Sequence, residues 1–218
     1  MSELEFASLL CSRLCHDLVS PVGALTNGVE ILQDEHDDEM REQVMDLLYK
    51  SARQTANKLQ FFRLAFGAAG GFSTQLDMRE ACKVFAAFLE GSRVEQVWDV
   101  DIDHAQKRVV KLLLNLAMIS ADALIRGGTC AVSLREDDKK YHIKVTARGQ
   151  RLLLVGNVRQ ALLDELDMDA LDPRTAPAYL ACEVAKTLGA AIDIDETIAG
   201  EISISATVNI KIDSRLDS

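Results

Sequence analysis

Between residues 3 and 66 the apolar residues recur every three or four positions, and the pattern breaks only once, at Gln33-Asp34-Glu35-His36-Asp37-Asp38. That stretch is too acidic and aperiodic to pack, so two long helices are predicted around it. The second carries Val44, Leu47, Leu48, Ser51, Thr55, Leu59, Phe62 and Phe66 at helical spacing. A lone two-helix hairpin cannot bury both sides of such a seam. Pairing with a second copy into a four-helix bundle solves this with coiled-coil-like packing, so a homodimer is expected. The alternative is that the hairpin folds onto the rest of its own chain.

The first helix has two distinct faces. At about 100° per residue, His16 shares its stripe with Ser12, Ser20, Gly23, Asn27 and Glu30. The opposite side collects Ala7, Leu10, Leu14, Leu18, Pro21, Leu25, Val29 and Leu32. His16 is therefore expected to face water, and the small Ser20 and Gly23 leave room for another protein to approach it. Pro21 has no N–H to give the carbonyl of Asp17, which predicts a bend just past the histidine. An ordinary surface histidine would occupy the same stripe; the adjacent acid and the proline five residues on set this one apart.

Gly67-Ala68-Ala69-Gly70-Gly71 is a breaker. It divides the chain into a helical segment, 1–70, and a mixed one, 71–218. In the second, helices are predicted over 78–90, 105–125, 157–165 and 176–188. Strands are predicted over 96–100, 129–135, 141–147, 190–195 and 201–211, with a turn at Glu136-Asp137-Asp138 and another at Ala199-Gly200. Helices among mostly antiparallel strands indicate an α+β class with a layered sandwich.

Composition narrows the function classes. A net charge of −10 argues against a nucleic-acid partner. No apolar run reaches the length of a membrane span, and Met1 to Phe6 does not read as a signal peptide. Five cysteines form no paired framework, which suits a reducing compartment, so a cytoplasmic location is expected. Cys11 lies near the apolar seam while His16 points away from it, and no fourth ligand is close, so no zinc site is expected. His36, His104 and His142 show no ligand-like spacing.

Leu14-Cys15-His16-Asp17-Leu18-Val19-Ser20-Pro21 carries the pattern His-Asp-Leu-x-x-Pro. Residues 14–32 resemble the dimerisation and phosphoacceptor segment of histidine kinases, and residues 74–210 resemble a kinase ATP-binding domain whose nucleotide boxes are lost. Asn115 stands in the first box, but Ile119 falls where a second asparagine is expected. Ala147-Arg148-Gly149-Gln150-Arg151 replaces an Asp-x-Gly-x-Gly loop. Ala176-Pro177-Ala178-Tyr179-Leu180 replaces a glycine-rich helix start. A phosphate cradle needs backbone N–H groups that glycine lets come close, and none is offered.

A phosphoacceptor histidine without an ATP site resembles the ChpT-type histidine phosphotransferases. The runs Cys15 to Ala24 and Asn27 to Glu30 carry most of that likeness, and Leu124 to Gly128 supports it. The resemblance implies a dimeric phosphorelay intermediate. His16 would take a phosphoryl group from a receiver aspartate of a hybrid histidine kinase and pass it to the receiver of a response regulator. Asp17 would hold a ring N–H, and Arg13, Ser20, Gly23, Ala24 and Asn27 would meet the receiver. The receiver would bring its own Mg²⁺, and the chain would bind no cofactor. Arg148 and Arg151 are further candidates for an acidic receiver surface. Two other readings of the same fold are an ATP-dependent histidine kinase and a non-catalytic dimeric adaptor or kinase inhibitor.

Overall fold

A computed structural model describes residues 1–67 and 75–210 of the chain. The predicted breaker lies outside the described residues from Ala68 onward, as does Lys211 at the end of the last predicted strand.

The hairpin is built from α1 (Glu3–Asp34) and α2 (Asp38–Ala65). Both starts follow from local chemistry. Ser2 and Glu5 form a reciprocal capping box, and the Asp37 carboxylate accepts from the N–H of Met40. The acidic break between the helices is thus cap chemistry. Arg41 closes it by donating to the carbonyls of Leu32 and Glu35 at 3.1 and 2.8 Å. Pro21 and Gly28 are the buried residues of α1. A side chain at Gly28 would run into Leu48, so glycine there lets the two helices approach closely.

The α/β segment contains β1 (Gln75–Asp77), α3 (Met78–Leu89), β2 (Val94–Val100), β3 (His104–Gln106), α4 (Lys107–Asp122), β4 (Gly128–Asp137), β5 (Lys140–Arg148), α5 (Gly156–Leu162), α6 (Ala176–Thr187), β6 (Ile192–Asp195) and β7 (Glu201–Asn209). Five strands form one sheet in the order β2-β4-β5-β7-β6, parallel at β2/β4 and antiparallel elsewhere. Alternation sends Cys130, Val132 and Leu134 of β4 and Tyr141, Ile143 and Val145 of β5 into the core. Helix α4 is buried almost all round, from Val109 to Ala121, because it lies between the sheet and the other helices.

Several sequence expectations are corrected, among them the helix expected over 157–165, which is α5 and ends at Leu162. The β4/β5 turn is Asp138-Lys139, both at positive φ, so Glu136 and Asp137 still belong to the strand. The helix predicted over 105–125 begins two residues later, because His104–Gln106 pairs with Gln75–Asp77 as a small antiparallel ribbon. Three-residue strands are too short to show alternation, which is why the ribbon was not predicted. Residues 123–126 leave the helix in turns, ending at Gly127 and Gly128. At Gly128, with φ of +140°, a Cβ would lie 2.2 Å from the carbonyl oxygen of Arg148, so glycine is required.

The end of α2 is seated on this core. Phe61, Phe62 and Ala65 belong to the same buried cluster as α3, α4 and the sheet. The Phe61 ring stacks on Phe88 at 4.1 Å between centroids and meets Phe85 at 6.1 Å. Two residues of α4 satisfy carbonyls that the end of α2 leaves open. Lys111 Nζ donates to Phe66 and Gly67 at 3.1 and 3.0 Å, and Asn115 Nδ2 donates to Ala65 at 2.8 Å. The foot of the hairpin therefore does fold onto its own chain. Along the hairpin Val19, Val22, Val29, Met45, Leu47 and Leu59 nevertheless stay exposed.

Candidate functional site

His16 stands on the outer face of α1 with its side chain 85% exposed. Its Nδ1 lies 3.1 Å from Oδ1 of Asp17. A carboxylate only accepts, so in this hydrogen bond Nδ1 is the donor, and in the neutral ring that leaves the lone pair on Nε2. Asp17 is held on both ends. Its Oδ2 accepts from Arg13 Nε at 3.0 Å, and its backbone carbonyl accepts from Lys58 Nζ at 2.8 Å. That carbonyl is the one Pro21 leaves without a helical donor. Helix α1 runs unbroken through the proline, and Lys58 of α2 supplies the missing bond.

Arg13 reaches further. Its Nη2 donates to Oδ2 of Asp122, the last residue of α4, at 2.9 Å. Burial works against the guanidinium's charge, yet Asp122 and Asp17 together lift its pKa above the ordinary arginine value. Nearby, the Phe6 ring packs edge-on against Tyr179 of α6 at 5.0 Å, so α1 lies against the α/β segment as well as against α2.

These residues line an open cleft of roughly 670 Å³ bounded by Ser12, Arg13, His16, Asp17, Asp122, Asp172, Pro173 and Arg174. Asp172 shapes its far wall, accepting from the backbone N–H groups of Arg174 and Thr175 at 2.9 and 2.7 Å just before α6. Of the residues singled out from sequence, His16, Asp17 and Arg13 meet here. Ser20 and Asn27 are exposed further along the helix, and Gly23 and Ala24 are half-buried beside them. Arg13 is 13% exposed, with its fork already engaged within the chain. Arg148 pairs with Glu201 at 2.6 Å and Arg151 is exposed, but neither lines this cleft, whereas Arg174 does.

Sequence reasoning missed Asp122, Asp172, Arg174 and Lys58. Asp-Pro-Arg-Thr before a predicted helix is a legible capping signal, and a carboxylate ending α4 is an anomaly that sequence alone offers. Nothing local pointed to Lys58.

Asn115 ties α4 to α2, and Leu152 pairs with Leu124 while the N–H of Leu153 donates to the Ala123 carbonyl at 2.9 Å. Ile119, Leu153, Val155, Val158 and Pro177, with Arg13, Asp122 and Arg174 of the cleft, line a small recess of roughly 30 Å³.

The family described as "Histidine phosphotransferase C-terminal domain" matches residues 78–200. The protein phosphotransferase ChpT of Brucella abortus (strain 2308) is 35% identical over 206 residues, covering 94% of this chain and 97% of that one. A solved structure of a bacterial phosphotransferase superposes with a TM-score of 0.83 at 34% identity, over 94% of this chain and 97% of the other. A looser likeness is to the Acinetobacter baumannii histidine kinase AdeS, with a TM-score of 0.47 at 11% identity over 90% and 98% of the two chains. The fold is the α+β arrangement of a helical hairpin followed by a layered sheet segment that the sequence leads one to expect. The chain belongs to the histidine phosphotransferase family.

Proposed function

We propose that His16 is the phosphoacceptor of a cytoplasmic phosphorelay, taking a phosphoryl group from a receiver aspartate of a hybrid histidine kinase and giving it to the receiver of a response regulator. The observation that carries this reading is the presentation of His16. The ring projects into solvent while Asp17 occupies Nδ1, so an incoming phosphorus meets the free Nε2. Such a transfer needs in-line positioning and charge neutralisation more than covalent help. Mg²⁺ would come with the receiver. Ser20, Gly23, Ala24 and Asn27 would form the docking stripe, with Arg13 at its edge.

The helical unit over 1–70 is proposed to pair with a second copy. Val19 is 69% exposed, and Val22, Val29, Met45 and Leu47 are also open, apolar side chains that a monomer would leave in water. Sedimentation equilibrium should give twice the chain mass; a monomer at micromolar concentration would contradict the pairing.

The ATP-dependent alternative is disfavoured by the residues that stand in the three boxes, Ile119, Arg148 to Arg151 and Ala176 to Leu180. Radiolabelled phosphate separates the readings. Label should reach the purified protein from a phosphorylated hybrid-kinase receiver and not from ATP alone. Label from ATP would mean that the kinase-like segment still works. Receiver binding without label would favour the non-catalytic adaptor.

A further inference from the structure

We infer that Asp122 and Arg13 are positioning residues for phosphoryl transfer: through the line Asp122–Arg13–Asp17–His16, the α/β segment fixes which ring nitrogen of His16 is free to attack. The inference rests on the reading of His16 as phosphoacceptor.

Neighbouring residues on a helix do not face each other. A carboxylate at Asp17 would not by default sit against the ring of His16. It does so here because its other oxygen is held: Oδ2 takes Arg13 Nε at 3.0 Å while Oδ1 lies 3.1 Å from His16 Nδ1. The side chain of Asp17 is 15% exposed, so it has little freedom to swing away. Arg13 is held in turn by Asp122 at 2.9 Å. A guanidinium is a planar fork, and engaging it at Nε and Nη2 sets its orientation as well as its place.

The position of Asp122 supports the same conclusion. It ends α4, where the helix dipole disfavours a negative charge, and the last turn of α4 carries no basic residue to offset it. Within the described residues its ion pair is with Arg13. A carboxylate in that place costs the helix and serves the contact to α1. The α/β segment thus takes a part in the reaction.

The chemistry follows from the tautomer. Nε2 attacks the phosphorus of the aspartyl phosphate, the N–P bond forms, and the P–O bond to the aspartate breaks with its electron pair leaving on the carboxylate. The ring becomes a cation and keeps the proton on Nδ1 against Asp17. Passing the group onward reverses each change. Without Asp122 and Arg13, Asp17 loses its orientation, and the ring is released to protonate at Nε2, where the lone pair is needed.

The test uses the full chain and two readouts. Ring ¹⁵N shifts of His16, in protein isotopically labelled at histidine, report the tautomer before any phosphate is present. Wild type should show the Nδ1–H form, and Arg13→Met and Asp122→Asn should each move it toward the Nε2–H form. The rate of labelling from a phosphorylated receiver should fall about 3- to 30-fold in each variant, the range expected for one coupled contact. The double variant should be no slower than the worse single, because either break opens the same line. Asp122→Glu should restore part of the rate and of the tautomer. Asp122 is half exposed, so its asparagine variant should fold normally and keep the result readable. Unchanged ring shifts with rates within about 2-fold of wild type would overturn the inference while leaving His16 as the acceptor. A wild type with the Nδ1–H ring that takes no label would instead overturn the acceptor reading, and the positioning role with it.

Discussion

His16→Ala will take up no label from a phosphorylated receiver, and His16→Gln will take up none either. Glutamine keeps a polar side chain on the stripe, so its failure would separate the loss of the nucleophile from the loss of a surface contact. The fold should not notice either change. The side chain is 85% exposed, and its hydrogen bond is to Asp17, which keeps Arg13 and Lys58. Substitutions at such positions move stability by less than about 0.5 kcal/mol. Urea unfolding of both variants should therefore overlay the wild type while transfer falls to background. Residual labelling at a comparable rate would mean that another side chain accepts the group. Receiver binding should survive, because the docking stripe of Ser20, Gly23, Ala24 and Asn27 is untouched.

Phe61→Ala should produce the largest loss of stability in the molecule. The ring is fully buried and sits among Phe62, Phe85 and Phe88, with centroids 4.1 to 6.1 Å away. Removing a buried phenylalanine costs about 3–5 kcal/mol, part of it lost transfer energy and part the cavity left behind. For a chain of this size that lowers Tm by roughly 6–20 °C. The consequence reaches the site, because Phe61 is where α2 is rooted in the core. Loosening that root should weaken the approach of α1 to α4 on which the Arg13–Asp122 contact depends. Calorimetry and transfer rates, measured below the new midpoint, should both decline. A loss below about 1 kcal/mol would mean that the four-ring cluster repacks around the gap.

Much of this was legible because it is local. The spacing of Leu14, Leu18 and Leu25 against Ser12, His16 and Ser20 is a property of one helix, so the wheel alone put the histidine on the water side. The acidic run from Gln33 to Asp38 marked the turn for the same reason, since capping joins residues three apart. The strands β4 and β5 were visible because ten- and nine-residue strands give enough alternations to see. The ribbon of β1 and β3 was not, because its two halves are three residues long and almost thirty residues apart.

The site divides along the same line. By itself the sequence determined the helical hairpin and the outward histidine with its acid and proline, because each depends on residues within a turn or two of one another. Tertiary structure alone decided that Lys58 satisfies the carbonyl Pro21 leaves open, and that Arg13 turns inward to Asp122. It also put Arg174 on the wall of the cleft and seated the end of α2 on α4 through Lys111 and Asn115. Each of these joins groups on different elements, some more than a hundred residues apart in the chain for Arg13 and Asp122. A charge or a hydrogen-bond donor finds such a partner only after the elements have packed, and no periodicity along the chain encodes which one it will be.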